Sequence, residues 1–390
     1  MKKVSIVIPT RNRAHLLDYA LRSALNQTYR NVEIIVCDND SSDNTKKVVE
    51  SYGNNNLIYI RTDKALSMPD NWDFALLKAT GEYIAYLTDD SYLLPNTITT
   101  VMNELDKFNA NVAVWKHCAY FASDWLEPAR RNVLYIPKVT STSCMINSNE
   151  SLRRLFDSDE NVSTIIPKSL NSLCHQSIIK NVISVQNRFF LPSCPDYSSA
   201  ASVLLNASEY LLIDQALYID GVTSESIGAT TSFNMGESTQ KYIREFDQED
   251  NDIAFLDIPV SPAGIGKSLE KVMSYYIDTC PELNIKNLLC SISDRLVKVE
   301  VNGADVNDYW EKLNKYLSTQ PAKVKFATAK QKLLSRLKWM MVRTIRSSAL
   351  LEQIERVRSF HILKGSDYDF TNIEESAKVV ALWKGNRGGR

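Results

Sequence analysis

Two adjacent carboxylates, Asp89 and Asp90, follow directly on the apolar run 83–87. A strand buried on both faces does not admit paired charges, so the acids belong just past its end. In an open α/β sheet, the crevice beyond the carboxyl ends of the strands is where ligands bind. Two carboxylates there suit a hard divalent cation that keeps part of its water and takes its other ligands from a substrate diphosphate. A solvated turn is the alternative use of an isolated Asp-Asp pair, and the surrounding elements decide between the two.

Those elements alternate. Residues 4–9 form an apolar, β-branched run, followed by a polar turn at 10–13 and a helical pattern of Leu16, Leu17, Ala20, Leu21, Ala24 and Leu25. Residues 32–37, 57–61 and 83–87 make the next three strands, with helices over 69–79 and 95–108 and an extended segment at 112–115. The loop 38–43 carries Ser and Asp residues suited to cap the helix that follows it. Strands alternating with helices at this spacing predict an α/β fold, a mostly parallel sheet covered on both faces.

Composition narrows the function classes. A chain of 390 residues predicts two domains, an α/β unit over 1–235 and a mainly helical region over 236–390. The formal net charge of -1 argues against a nucleic-acid binder. Between Met1 and Ala200 the only glycines are Gly53 and Gly81, which leaves no room for a dinucleotide-binding turn or a P-loop. The segment 261–268 imitates the end of a P-loop but has Ser261 where the first glycine is required; it reads as a loop, with a helix starting at Lys267 or Ser268. Seven scattered cysteines and four dispersed histidines predict neither a disulfide framework nor a zinc site. With no secretory leader and no run of transmembrane length, the sequence predicts a cytoplasmic protein.

Four stretches carry a resemblance. Pro9-Thr10-Arg11-Asn12-Arg13, then 23–29 (Ser-Ala-Leu-Asn-Gln-Thr-Tyr), then 36–41 (Val-Cys-Asp-Asn-Asp-Ser), and finally 81–95 resemble, in order and spacing, the family 2 glycosyltransferases of the GT-A fold. The resemblance is good over about the first 110 residues and continues weakly to about Gly228. It implies that Pro9, Thr10 and Arg11 lie against the nucleotide of a sugar donor and that Asp38 hydrogen-bonds its base, uracil being commonest. It implies further that Asp90, matching the second acid of the family's Asp-x-Asp pattern, binds Mn2+ or Mg2+. Two departures stand out. Thr88 occupies the place of the first acid, leaving Asp89 to supply the ribose or water-bridged metal contact. Asn39 and Asp40 stand where a second Asp and a Gly are usual. Asn71 occupies the place from which the family reaches the sugar or diphosphate, and reads equally as a polar residue in a helix's first turn.

Inverting sugar transfer also needs a carboxylate to take the proton of the attacking hydroxyl. Asp196 follows an apolar run at 189–191, read as a strand, and heads a helix over 198–205, where the family places its base; a plain helix cap is the alternative. His175, in a segment resembling the acceptor side, is a candidate acceptor contact or a partly buried structural histidine. The Gly-, Ser- and Thr-rich run 221–231 reads as a lid or as a linker.

Beyond Gly236 the pattern is helical, over 268–278, 285–299 and 306–317. From Lys312 through Leu351 there are ten basic residues and no acidic one. Leu333, Leu334, Leu337, Met340, Met341, Thr344 and Ile345 share a face of a helix near 328–348, with Lys332, Arg336, Arg343 and Arg346 mostly off it. Such a helix either lies on an anionic bilayer at the inner face of the cell membrane or packs on the catalytic domain.

The reading is therefore a metal-dependent, inverting transferase that moves a sugar from a nucleotide diphosphate, with UDP favoured, to a hydroxyl of a glycan or lipid-linked glycan. The alternatives are a catalytically silent glycan- or partner-binding protein on the same scaffold and a sugar-nucleotide pyrophosphorylase, for which the Gly-rich loop is missing.

Overall fold

The computed structural model describes residues 1–53, 55–246, 256–345 and 360–385. Strand β1 (Val4–Thr10), helix α1 (Ala14–Leu25), β2 (Val32–Asp38), α2 (Thr45–Glu50), β3 (Leu57–Arg61), α3 (Met68–Leu76) and β4 (Tyr83–Tyr86) open the chain. They are followed by β5 (Tyr92–Leu93), α4 (Thr97–Phe108), β6 (Val112–Phe121), β7 (Val133–Pro137), β8 (Ser143–Asn147), α5 (Ser148–Phe156), β9 (Ser172–His175), α6 (Gln176–Gln186), α7 (Pro195–Asn206) and β10 (Glu209–Val222). Helices α8 (Ile227–Phe233), α9 (Glu237–Phe246), α10 (Ser261–Tyr275), α11 (Ile285–Val301), α12 (Asn307–Ser318) and α13 (Ala322–Ile345) come next, then β11 (Phe360–Lys364) and helices α14 (Gly365–Tyr368) and α15 (Ile373–Gly385).

The sheet runs β11-β7-β6-β9-β4-β1-β2-β3, and β10 pairs with β5, β6 and β8 beside that path. The segment β3-β2-β1-β4 is parallel, as is the β6/β10 pair. The remaining pairings are antiparallel. Strand residues alternate between two cores. Val7, Ile35, Cys37, Ile84 and Tyr86 face one side, with residues of α3, α5, α6, α7 and α10. Val4, Ile6, Ile8, Ile34, Val36, Tyr83 and Ala85 face the other, with α1 and α4. This period of two with apolar residues on both faces makes β1 a continuous apolar run, because neither side meets water. The α/β fold read from the sequence is thus the fold of the protein.

Three local readings are revised. Residues 189–191 bend instead of forming a strand, because Phe189 N–H and Phe190 N–H donate to Asp73 Oδ1, at 3.0 and 3.2 Å, and not to a neighbouring strand. The pseudo-P-loop is helical from Ser261, with Pro262 in the first turn of α10. Its Gly264 lets α10 approach closely, since a Cβ there would lie 2.9 Å from Cys194 Sγ. Finally, the region beyond Gly236 is mainly helical, as expected, around its own core of Leu288, Leu289, Ile292, Leu296 and Leu313. Yet β11 returns to the sheet edge against β7, and α15 packs Ile373, Ala377 and Val380 onto Tyr92, Leu94 and Tyr120.

Candidate active site

Parallel strands β1, β2 and β4 end side by side, and their loops converge. Asn12 and Asp40, both left-handed at φ 54, turn the chain after β1 and β2. Asn12 N–H donates to Ser41 Oγ at 2.9 Å and Ser42 N–H donates to Asn12 Oδ1 at 2.7 Å, which ties the two loops together. Asp43 crosses between them, accepting from Ala14 N–H at the start of α1 as well as from Thr45 N–H. The capping expected of the loop 38–43 therefore serves two helices.

The acid pair lies past β4, as its sequence position requires, and the two carboxylates are treated differently. Asp89, with a side chain only 5% exposed, accepts from Thr10 Oγ1 at 2.8 Å and from Arg13 Nη1 at 2.7 Å. Asp90 Oδ2 accepts from Ser226 Oγ at 2.8 Å and lies 3.4 Å from Arg13 Nη1. Burial opposes the charge on Arg13, but Asp89, Asp90 and Glu225 hold it protonated. Among the described residues its Nη2 is a buried donor without an acceptor. Burial raises the pKa of Asp89 and the Arg13 charge opposes the rise.

The other residues singled out in the sequence fall in distinct places. Pro9 pairs with Cys37 across β1 and β2, and Arg11 is half-buried in the loop beyond. Asp38 is fully buried, and its oxygens accept from Ser41 N–H, Tyr59 O–H and Arg61 Nη1. In this conformation it folds the loop and offers no surface to a base. Asn71 is likewise buried beneath that loop, with Oδ1 accepting from the Cys37 thiol at 3.1 Å. His175 is separated from the acids. Strand β9 runs antiparallel to β4 and pairs His175 with Tyr83, at the start of β4. The acids follow the opposite end of β4, so His175 stands at the far end of that strand from them. The ring packs on Tyr83 at 4.9 Å and caps α6 through Ser177 N–H, which is the structural role.

Asp196 stands in the first turn of α7, while Cys194 occupies the cap position without a side-chain cap bond. Its loop is pinned by Ser268 of α10, whose Oγ accepts from Cys194 N–H at 2.8 Å and donates to Pro192 O at 3.0 Å. The Asp196 carboxylate is raised by burial, with Lys168 acting against the rise. It lines a cavity of 740 Å³ between the sheet-covering helices and α10–α11, together with Tyr197, Lys168, Arg188, Lys267 and Arg295.

Two residues of this centre escaped sequence reading. Asp220, near the end of β10, is pushed up to about 7 by burial and by the Asp90 charge, against Lys168 and a 3.4 Å hydrogen bond from Ser91 Oγ. Lys168 loses charge stability to burial but regains it from Tyr197, Asp196 and Asp220, and its ammonium lies 5.2 Å from the centre of the Tyr197 ring. Tyr218 feels the charges of Asp220, Asp90 and Asp196, so the three acids share one neighbourhood. No short-range motif announces Asp220 or Lys168; only the pairing of β10 with β6 and β5 brings Asp220 to the acid pair.

Among the described residues no group of three or more His, Cys, Asp or Glu could enclose a metal ion. The donor set nevertheless fits a small hard cation of the kind that takes one or two carboxylates and completes its shell with water and phosphate. The contacts of Asp90 among the described residues all go to Oδ2, which leaves Oδ1 for such a cation.

The sequence profile described as Glycosyl transferase family 2 matches residues 5–164. A Campylobacter jejuni GalNAc(5)-diNAcBac-PP-undecaprenol beta-1,3-glucosyltransferase is 36% identical over 115 residues, 29% of this chain and 37% of that protein. An Escherichia coli UDP-Glc:alpha-D-GlcNAc-diphosphoundecaprenol beta-1,3-glucosyltransferase is 32% identical over 128 residues, 30% of this chain and 51% of the relative. The match thus spans about a third to a half of these relatives' lengths. Staphylococcus aureus TarS 1-349 in complex with UDP superposes with a TM-score of 0.47 at 16% identity, covering 87% of this chain and 91% of that one. Residues 5–164, which contain the converging strand ends and the acid pair, are thus the part of the chain that is similar to glycosyl transferase family 2.

Proposed function

We propose that the protein transfers a sugar, with inversion, from a nucleotide diphosphate sugar to a hydroxyl of a lipid-linked glycan. The observation that carries this reading is the acid pair held past β4 by Thr10, Arg13 and Ser226, with Asp220 tied to the same loop through Ser91 and a cavity lined by Asp196 and Lys168. Two relatives whose names specify undecaprenol-diphosphate acceptors, one of them with UDP-Glc as donor, support the substrate classes. In this reading the catalytic module is 1–235, and 236–390 completes the acceptor side through α10 and α11.

The donor lies along Pro9 to Arg11 and the loop that Asp38 folds, with Asn71 supporting that loop from below. Asp90 holds Mn2+ or Mg2+, which when bound neutralises the departing diphosphate. Arg13, steadied by Asp89, offers its unpaired Nη2 to a diphosphate oxygen. Asp196 accepts the proton of the acceptor hydroxyl as that oxygen bonds to the anomeric carbon. The bond from that carbon to the diphosphate breaks on the opposite face, and the nucleoside diphosphate leaves with the electron pair. Burial raises the Asp196 pKa and the Lys168 charge acts against that rise, favouring the ionised form a base needs.

Calorimetry with UDP and UDP-sugars, with and without manganese, tests the donor assignment. Metal-linked affinity in the wild type, lost in Asp90→Ala and retained in Asp196→Asn while transfer stops, is the expected pattern. Normal turnover in either variant overturns the assignment, and nucleotide binding without transfer to any acceptor favours a silent binding protein.

A further inference from the structure

Helix α13 is inside out. Apart from Trp339, its buried residues facing α11 are small or polar: Thr328 and Ser335 are buried there beside Val324, Ser335 Oγ donates to Asp294 at 2.6 Å, and Trp339 Nε1 donates to the same carboxylate at 3.2 Å. Its large apolar residues face outward. Phe326, Leu333, Leu334, Leu337, Met340 and Met341 are between 49% and 73% exposed. At 100° per residue these six fall within about 120° of arc, opposite Thr328 and Ser335. The side chains of residues 344 and 345 and the whole of 346–348, including Arg346, lie outside the described residues.

We infer that this outward face of α13 seats the protein on an anionic bilayer surface. Packing of the apolar stripe on the catalytic domain, the alternative for this helix, is not how it is placed: the side that packs is the polar one. Leaving Met340 aside, Phe326, Leu333, Leu334, Leu337 and Met341 form an exposed apolar stripe, and a soluble helix seldom keeps such a stripe in water. The surroundings specify the partner's chemistry. Lys325, Arg336 and Arg343 flank one edge of the stripe and Lys338 the other, while Lys323 and Lys330 rise within it, on stems long enough to reach headgroups above a shallowly buried face. The stretch from Lys312 to Leu351 contains no acid to repel anionic lipid. A protein partner would need acidic and apolar patches in matching register, whereas a bilayer of anionic lipid supplies both without register.

The seat is connected to the chemistry by one helix. Leu288, Ser291 and Arg295 of α11 line the cavity that Asp196 borders, and Asp294 and Val301 of the same helix hold α13 through Ser335, Trp339 and Arg343. On the proposed reading of a lipid-linked acceptor, on which this orientation rests, the cavity lies one helix away from the lipid surface that delivers it.

The experiment is flotation of the full chain with phosphatidylcholine vesicles, with and without phosphatidylglycerol, at low and high salt. The wild type is expected to float with the anionic vesicles and to lose most binding in salt. Leu333→Glu/Leu337→Glu should bind about tenfold or more weakly, since it removes two buried apolar anchors and adds like charge to the anionic surface. Both positions are exposed, and unchanged nucleotide affinity in solution serves as the check that the double variant folds. Wild-type binding equal with and without anionic lipid, or undiminished in the double variant, overturns the proposal, as does a wild type that stays with the solution and sediments as a dimer abolished by the double variant. A wild type that floats as expected but binds no nucleotide would instead count against the transferase reading alone.

Discussion

Gly221 and Asp90 meet backbone to backbone: a Cβ built on Gly221 would lie 1.8 Å from the Asp90 carbonyl oxygen. The end of β10 can pass beneath the acid loop only without a side chain, and this contact sets the height at which the Asp90 carboxylate stands. Gly221→Ala must therefore push the loop, not merely fill space. We expect a stability loss of about 1–3 kcal/mol in urea unfolding, the usual range for overpacking, together with a larger loss of metal-linked nucleotide affinity. An unchanged calorimetric titration would mean that Asp90 is not held by this contact.

Arg13 bridges both acids, and its removal leaves Asp89 buried with only the Thr10 hydroxyl. Breaking such a buried pair from one side costs about 3–5 kcal/mol. Arg13→Ala should lower the urea midpoint accordingly, and Arg13→Ala/Asp89→Asn should recover part of the loss because the uncompensated charge is gone. Additive losses in this double-mutant cycle would show that the two side chains act independently.

Most of the catalytic framework was legible in residue order because it depends on local rules. An apolar run followed by acids fixes a strand and its end, and the strand-helix alternation fixes the parallel segment β3-β2-β1-β4. What was illegible depends on pairings made far along the chain. His175 read as either an acceptor contact or a structural histidine, and only the antiparallel register of β9, which sets it at the start of β4, favours the second. Asp38 read as a base-facing acid, and only its burial against Tyr59 and Arg61 reveals its work in the loop; Asn71 read equally as a donor contact or a polar residue of a helix's first turn, and it lies buried in α3 against Cys37. β11 was missed because five residues at a sheet edge, only two of them buried, carry too weak an alternation to stand out in a helical region.

Asp220 predicts how stability responds to pH in the absence of divalent ions. Its folded-state pKa of about 7 lies above the ordinary carboxylate value of 3.8, so the native state holds a proton that the unfolded chain has lost between those limits. Stability from this group is full below the unfolded pKa and declines as pH rises toward 7. Asp220→Asn should abolish that decline, so the variant's Tm advantage over wild type should grow from pH 4 to pH 7 and then level off. A constant difference across the range would place the titration elsewhere.

Lys168 supplies a sharper test of the proposed base than removal of Asp196 itself, because it changes the carboxylate's ionisation without deleting it. Burial pushes Asp196 up and the Lys168 ammonium pulls it down, so Lys168→Met leaves the burial effect less opposed. A general base works only when ionised, so the rising limb of kcat/KM against pH should move to higher pH in the variant. Activity lost at neutral pH should return in part under alkaline conditions. Donor affinity, set at the Asp90 side, should stay near the wild-type value. A limb that stays in place while kcat falls at every pH would assign Lys168 to acceptor binding and leave the proton with another group, for which Asp220, which feels the charges of both Lys168 and Asp90, is the candidate.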